Sequence, residues 1–591
     1  MKTTLKSIII IFIILFSLSL LTSISYADSA MQYFSEGNSL FEAGKIEEAI
    51  QSYNKAIELN PNLAEIHYNK GVALFNLKKY NEAIESYNRS IELAPNFKEA
   101  YLNKSICLLV VSKFEEALET VNKFIEMSPN EPNGYTVKGS ILIMIEKYEE
   151  ALEVSNKVIA MNPNNQSVLS VAYSNKGYAL VWLKKPKEAL EACNKSLELS
   201  GDNLDAHIAI SLAHSSLGNY EEAVNWCDKA IKIDPNAVEP YINKSNYLVN
   251  LGKSKEALEC CSKASELNVP QNPVYESIIL TNKSAALIFE NNYEEALAAA
   301  EKAIELDPKN ALAYVNKANA LNMAGSYDEA LSFSDKAIEI DPDCGEAYGA
   351  KGSALFYLGR FDESIETCKK AIELSPENII LCVQAYTNIG SSLSEKGMYE
   401  EALKNLDKAL ELPSKNAKAI SIAYSNKAYA LIGLEKFEDA LECANKAIEA
   451  DPSNVMGYSN KSSVLMRLSR YKEALECCDE AIKLNIADYA VYNNKGLALE
   501  SQGKLGKALE AFNKSLELNP DYKNAQDNIQ RVSTKLTIRR VLLIFGIFAF
   551  VTAITIATVI FIVLRKRKTT VQSINPPMPE PFLNYDELNQ K

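Results

Sequence analysis

The sequence predicts an all-α protein: an α-solenoid of about fourteen helical hairpins, followed by one membrane-crossing helix. Three observations carry this. The tripeptide Glu-Ala-Leu or Glu-Ala-Ile recurs along the chain, its Ala at 49, 83, 117, 151, 189, 223, 257, 296, 330, 402, 440, 474 and 508; Ser364 fills the place between 330 and 402, and Val follows Ala223. Successive copies stand 34 residues apart except at four steps of 38 or 39, the period of a two-helix unit that must stack on its neighbours to bury an apolar face. Finally, Val541–Leu564 is 24 residues without a charge. Apolar residues make up 47% of the 591 and charged residues 23%, and 22 Gly and 20 Pro are too few for a collagenous or low-complexity chain, so the composition is globular.

At the N-terminus, Lys2 and Lys6 precede an uncharged stretch, Ser7–Ser25, with its apolar core at Ile8–Leu21; Ser25-Tyr26-Ala27 then sets small residues three and one positions before Asp28. That order of basic, apolar and small-x-small segments reads as a secretory signal, residues 1–27, cleaved after Ala27.

Residues 30–522 hold the repeats. With the recurring Ala as position 20, position 8 is always Gly, Ala or Ser, position 4 is Tyr in eleven copies, and position 32 is Pro in ten. Small residues at 8 and 20 let the two helices of a hairpin approach, the tyrosines fill the space between helices, and the proline stops the second helix. The second repeat shows the pattern: Tyr68-Asn69-Lys70-Gly71, Leu74, Ala83, Tyr87, Pro95. In period and residues the array resembles the tetratricopeptide-repeat (TPR) family, which implies a right-handed superhelix with the first helix of each hairpin on the concave side. A longer period overlies the short one. From Ala83 to Ala189, Ala296, Ala402 and Ala508 the steps are 106, 107, 106 and 106 residues, each containing an insertion of four or five. That is close to one helical turn, so it lengthens a first helix with little rotation of its faces. Ser170–Leu180 and Ser421–Leu431 are near copies, which indicates growth by three-repeat blocks.

Residues 523–540 follow as a capping and juxtamembrane segment. Asn524–Leu536 has the polarity of a helix covering the last apolar edge, and with no Gly or Pro intervening it is expected to run on into the apolar segment. At ~1.5 Å per residue the span 541–564 reaches about 36 Å, enough for the ~30 Å hydrocarbon layer. Arg565-Lys566-Arg567-Lys568 follows it, but Arg531, Lys535, Arg539 and Arg540 precede it, so the positive-inside comparison stands at four against four. The export signal decides the expected orientation: repeats outside, tail 565–591 in the cytoplasm. In that tail Asn575–Phe582 is too rich in proline for a helix and reads as polyproline II.

The net charge of −14 and the pI near 5.1 argue against nucleic acid as partner, since phosphates need a basic face. The chain has no HExxH, GxxxxGK[ST], GxSxG or CxxC motif, and the segments above leave no stretch for a catalytic domain, so no enzyme, cofactor or metal is expected. Glu47-Glu48, Glu115-Glu116 and Glu221-Glu222 occupy positions 18 and 19, the start of the second helix, where carboxylates favour the positive dipole end. His67 and His207 take the tyrosine place at position 4 and His214 sits at position 11, all core-facing. Five of eleven cysteines, Cys193, Cys227, Cys261, Cys368 and Cys478, fall at position 24. One repeat spacing exceeds the ~7 Å reach of a disulfide, so they read as buried thiols, which sits awkwardly with export. Asn-x-Ser/Thr sequons at 88, 103, 165, 194, 243, 282, 460 and 513 arise mostly because the repeat itself writes Asn-Lys-Ser.

Function is expected in the groove. The resemblance assigns positions 2, 5, 6, 9, 12 and 13 to the concave surface. Position 6 is Asn in ten copies: Asn69, Asn103, Asn175, Asn243, Asn282, Asn316, Asn388, Asn426, Asn460 and Asn494. The series resembles the asparagine ladder of the O-linked N-acetylglucosamine transferase superhelix, and a carboxamide can pair with a backbone C=O and N–H whatever the sequence. Position 6 is therefore expected on the surface, contacting a protein or extended peptide. Tyr178, Trp182, Phe289, Phe356, Tyr357 and Tyr429 interleave with it as aromatic anchors. Glu65, Glu99, Asp205, Glu239 and Glu346 at position 2 make an acidic terminal peptide a poor ligand. The sequence thus points to a membrane-anchored binding scaffold or receptor. A cytosol-facing, tail-anchored adaptor is the alternative and accommodates the thiols better; a regulatory subunit of an enzyme is a further one. Self-association is left open.

Overall fold

A computed structural model describes residues 28–268, 272–414 and 416–572, with side chains to 567. The signal segment 1–27 and the proline-rich stretch 575–582 lie outside them. The described residues up to 518 form fourteen helical hairpins, from helices 28–42 and Ile46–Leu59 to Tyr489–Ser501 and Leu505–Leu518. The chain divides into two compact units: one runs to Asn388 and takes in Pro413–Asn416, the other comprises Ile389–Leu412 and everything from Ala417.

Within each unit the hairpins stack side by side. Position 20 lies in the core: Ala83, Ala189, Ala296 and Ala508 are all fully buried. Opposite position 8 stands position 24, a ring at Tyr53, Tyr87 and Phe512. A Cβ added to Gly71 would lie 2.6 Å from Tyr87 Cε1, and the same happens at Gly496 against Phe512 at 2.5 Å. Small residues at position 8 are thus required by the volume of position 24.

Every first helix stops in one way. The residue at position 15 is left-handed in all fourteen hairpins: seven times Gly, as in Gly44 and Gly503, and seven times Lys78, Ser112, Glu146, Lys184, Asn291, Glu435 or Ser469, at φ of 58° to 62°. In the second hairpin Lys79 N–H donates to Leu74 O at 2.9 Å and Lys78 N–H to Phe75 O at 2.9 Å, the paired bonds that satisfy a helix C-terminus before the chain reverses.

The four insertions lengthen first helices, as expected. Gln166–Trp182, Pro273–Phe289, Ile379–Glu395 and Ala417–Gly433 each have 17 residues, against 13 in Lys98–Val110 or Leu204–Ser216. Three of them carry a half-buried polar lock between positions 1 and 34 of the repeat. Asn203 Nδ2 donates to Ser170 Oγ (2.9 Å) and Ser196 Oγ (3.0 Å), Asn310 Nδ2 to Ser277 Oγ and Thr281 Oγ1 (both 3.0 Å), and Asn454 Nδ2 to Ser421 Oγ (2.6 Å) and Ser425 Oγ (2.9 Å). Each of these asparagines also caps the helix after it, its Oδ1 accepting from the N–H of Ala206, Ala313 or Gly457.

After the last hairpin comes one continuous helix, Lys523–Gln572, of 50 residues. Its first part packs on the last hairpin: Ala525, Asn528 and Val532 are buried, with Ile529 and Leu536 packed beside them. It then runs unbroken into the apolar segment, where Leu542 to Leu564 are broadly exposed. Among the described residues this is the one helix long and apolar enough to cross a membrane.

All eleven cysteines are unpaired, and ten are buried, Cys260 being the half-buried one. Burial pushes the Cys193, Cys227 and Cys368 thiols up to about 12. His67 and His207 are core residues, as expected; His67 Nε2 lies 3.0 Å from the Pro61 carbonyl and His207 Nδ1 2.9 Å from that of Asn203.

Candidate inner-face binding surface

Which face is the inner one follows from the packing. First helices of successive repeats touch, as Gln166–Trp182 does Leu204–Ser216 and Val455–Arg467 does Tyr489–Ser501. Among the described residues no two successive second helices make a comparable contact. Layers that touch on one side and fan apart on the other curve toward the first side, so the first helices line the inner face within each unit.

That contact redirects position 6. Asn175, Asn282 and Asn460 are buried, not on the surface as expected, and the other seven are half-buried. In eight of the ten the carboxamide nitrogen is used between first helices: Asn69 to Asn38 Oδ1 (2.8 Å), Asn103 to Tyr68 Oη (3.0 Å), Asn175 to Thr136 O (3.1 Å), Asn282 to Ile242 O (3.1 Å) and Ser245 Oγ (2.9 Å), Asn316 to Thr281 O (2.8 Å), Asn388 to Ser353 Oγ (2.8 Å), Asn460 to Ser425 O (2.8 Å), and Asn494 to Ser459 O (3.1 Å). The ladder is a seam joining each first helix to the one before. Asn243 Nδ2 is buried without an acceptor, and Asn426 is half-buried.

The aromatic residues separate into two groups. Trp182 is 50% exposed and lies flat on Tyr148, ring centres 5.6 Å apart at 10°; Tyr357 is 52% exposed and lies likewise on Tyr327, 4.8 Å apart at 12°. Each stacks position 13 of one repeat on position 17 of the repeat before, leaving one flat face to solvent. In the second unit Tyr429 is exposed. Phe289 and Phe356, expected as anchors, are half-buried: Phe289 packs beside Leu248 and Ala286, and Phe356 beside Tyr357 and Phe361. The sequence reading missed the rest of column 13. Val110 and Met144 precede Trp182 in consecutive repeats, Met323 precedes Tyr357, and all three are exposed; reading the repeats as columns shows this run of large apolar residues.

Tyr178 takes a third role. Its hydroxyl donates to Glu239 Oε1 at 2.7 Å, from repeat 5 to repeat 7 along the inner face. Burial holds the Glu239 and Asp205 carboxyls above the usual range and Tyr178 well above its own. Asp205 is reachable by water and Glu239 partly so; the inner wall around them displaces enough bulk solvent to penalise the charged forms. Among the described residues no group of three or more His, Cys, Asp and Glu side chains is placed to hold a metal ion.

Comparison with known proteins agrees with this architecture. Tetratricopeptide-repeat family profiles match residues 37–78, 64–97, 132–165, 170–203, 204–237, 238–268, 287–354, 343–413, 381–453, 425–488 and 489–522, most of the array. The chain belongs to the tetratricopeptide-repeat family. Among solved structures it is similar to the one titled APC/C hetero-tetramer Cut9-Hcn1, with 14% identity and a TM-score of 0.51 over 85% of this chain and 98% of the other. It also matches yeast Tom70, with 18% identity and a TM-score of 0.33 over 81% of this chain and 96% of that one. The first likeness shows the fold. No curated protein matches the chain.

Proposed function

We propose that this chain is a single-pass, membrane-anchored scaffold or receptor that binds other proteins, or extended segments of them, along the inner face of its repeats, which stand outside the cytoplasm. The carrying observation is column 13, where Val110, Met144, Trp182, Met323 and Tyr357 stay exposed, with the acidic Asp205 and Glu239 on the repeats between them. Exposed aromatic and aliphatic side chains on rigid helices are the usual anchors of interfaces. The carboxylates Asp205 and Glu239, within reach of water on the inner face, favour a segment carrying Lys or Arg and oppose an acidic terminus. The asparagine seam keeps these helices in register.

Anchoring rests on the apolar length of the last helix. The orientation rests on the export signal, since the flanking cations stand four against four in the positive-inside comparison. The tail-anchored, cytosol-facing reading draws on the eleven unpaired thiols. Protease added to intact cells separates the two: loss of the repeats supports exposure, and their survival until the cells are lysed reverses the orientation.

The groove is tested with the full-length protein in detergent on an array of extended peptides. Bound peptides should combine apolar or aromatic residues with Lys or Arg. Trp182→Ala with Tyr357→Ala should weaken their capture by about tenfold or more, and Glu449→Ala on a second helix should not. Capture indifferent to the aromatic pair would move the binding surface elsewhere.

A further inference from the structure

The helix Lys523–Gln572 begins as a member of the array and ends as the apolar segment. Its first turns run parallel to the first helix of repeat 14, Tyr489–Ser501. Tyr522 meets Tyr489 edge-on, ring centres 4.8 Å apart; Asn528 Nδ2 donates to Asn493 Oδ1 at 2.8 Å; and Arg531 and Lys535 reach Glu500. Taken in order, these contacts put the turn after Ser501 level with Lys535. Val541 lies six positions after Lys535, about 9 Å of helix rise, with no Gly or Pro to bend the helix. The turn of repeat 14 is thereby held close to the start of the apolar segment.

Repeat 14 departs from the others at that turn. In each of the thirteen earlier repeats the second helix has a carboxylate in its first turn. Position 19 supplies it, and in several repeats it pairs with the cation at position 16, as Glu82 does with Lys79 and Glu473 with Arg470. In repeat 14 positions 18 and 19 are Gly506 and Lys507, and Leu505–Leu518 has no acidic residue in its first turn. Lys504, at position 16, is left to donate to the neutral Gln502 at 2.8 Å, and Lys507 is exposed. A cation at a helix N-terminus opposes the dipole, so the substitution is locally unfavourable unless something negative lies outside. Arg539 and Arg540 are exposed on the last helical turn before the apolar segment.

We propose that the turn Gln502–Lys507 of repeat 14, together with Arg539 and Arg540, is a cationic, carboxylate-free surface that lies on the acidic headgroups of an anionic lipid leaflet. The proposal rests on Val541–Leu564 spanning the membrane. Attraction to a charged leaflet fades within a Debye length, ~8–10 Å at physiological salt, which is the distance the continuous helix enforces. Farther repeats have no such constraint and keep their carboxylates. The array is then seated at its base on the bilayer as well as tethered through it.

The test uses the full-length protein in nanodiscs of phosphatidylcholine alone or mixed with phosphatidylglycerol. Lysines are acylated with a water-soluble reagent and read by mass spectrometry, with Lys79, the position-16 residue of repeat 2, as internal reference. In anionic discs Lys504 and Lys507 should react about fivefold more slowly relative to Lys79 than in neutral discs, and high salt should close the gap. Lys507→Glu should reduce the protection of Lys504. Equal reactivity in both discs, with the protein still in the disc, overturns the proposal and leaves the span standing. Protein that elutes free of the disc in high salt overturns the span and the proposal together.

Discussion

Asn282→Ala separates the two roles a position-6 asparagine could have. The side chain is 5% exposed, and its nitrogen donates to Ile242 O at 3.1 Å and Ser245 Oγ at 2.9 Å in the preceding first helix. Two net hydrogen bonds contribute roughly 1–3 kcal/mol, and the better helix propensity of Ala returns up to ~0.7 kcal/mol, so a loss of about 1–2 kcal/mol is expected. Because each repeat packs mainly on its neighbours, the loss should stay local. Hydrogen exchange by mass spectrometry on the full chain should show amides in Val238–Asn250 and Pro273–Phe289 exchanging ~5–30-fold faster, with distant repeats unchanged. Asn426→Ala, at a half-buried position without a described side-chain bond, is the control and should stay near wild type. If Asn282→Ala exchanges like wild type, the nitrogen does not hold the seam, and position 6 must be reassigned to the groove.

Other outcomes follow from single sites. Glu146 is left-handed at φ 62°, so Glu146→Gly should stabilise the protein by about 0.5–1 kcal/mol, read as a higher urea midpoint. The Glu239 carboxyl is held above its ordinary range by burial, so the folded state retains a proton that the unfolded chain releases. Stability from that site is fully present below the unfolded value and lost as pH rises through the folded one. Glu239→Gln should therefore raise the urea midpoint relative to wild type near pH 7 and leave it equal near pH 4; an equal gain at both would refute the burial argument. A thiol reagent on the folded protein should modify Cys260 alone, the other ten reacting only after denaturation.

Much of this architecture could be read from the period. A 34-residue step with a fixed small residue implies a hairpin, and an insertion near one helical turn implies a longer first helix, because any other length would rotate its apolar stripe. The unbroken passage from cap to apolar segment was legible as well, since nothing between Leu536 and Val541 can stop a helix. The direction of the position-6 side chains was not. A carboxamide suits a ligand's backbone and a neighbour's carbonyl equally, and how closely the first helices approach decides between them. The locks at Asn203, Asn310 and Asn454 were hidden for another reason: their partners lie 7 to 33 residues earlier in the same repeat, and a period shows that columns recur, not which columns meet. Phe289 and Phe356 misled because a column predicts a direction, while the size of the neighbouring side chains decides how much of a ring is covered.

The left-handed turns give the array an uneven mechanical profile. A non-glycine residue in that conformation costs ~1 kcal/mol or more, somewhat less for Asn291, whose residue type is at ease there. Such residues close hairpins 2 to 5 without interruption, and again hairpins 12 and 13, while Gly closes hairpins 6, 7, 9, 10 and 11. Where neighbours supply most of a repeat's stability, that strain is not averaged over the protein but stays where it arises. Under load, or in the presence of a protease, unravelling should begin within those two runs. The intervening hairpins and the relaxed Gly503 turn at the base should hold longer, so the protein would come apart in blocks, not from its ends.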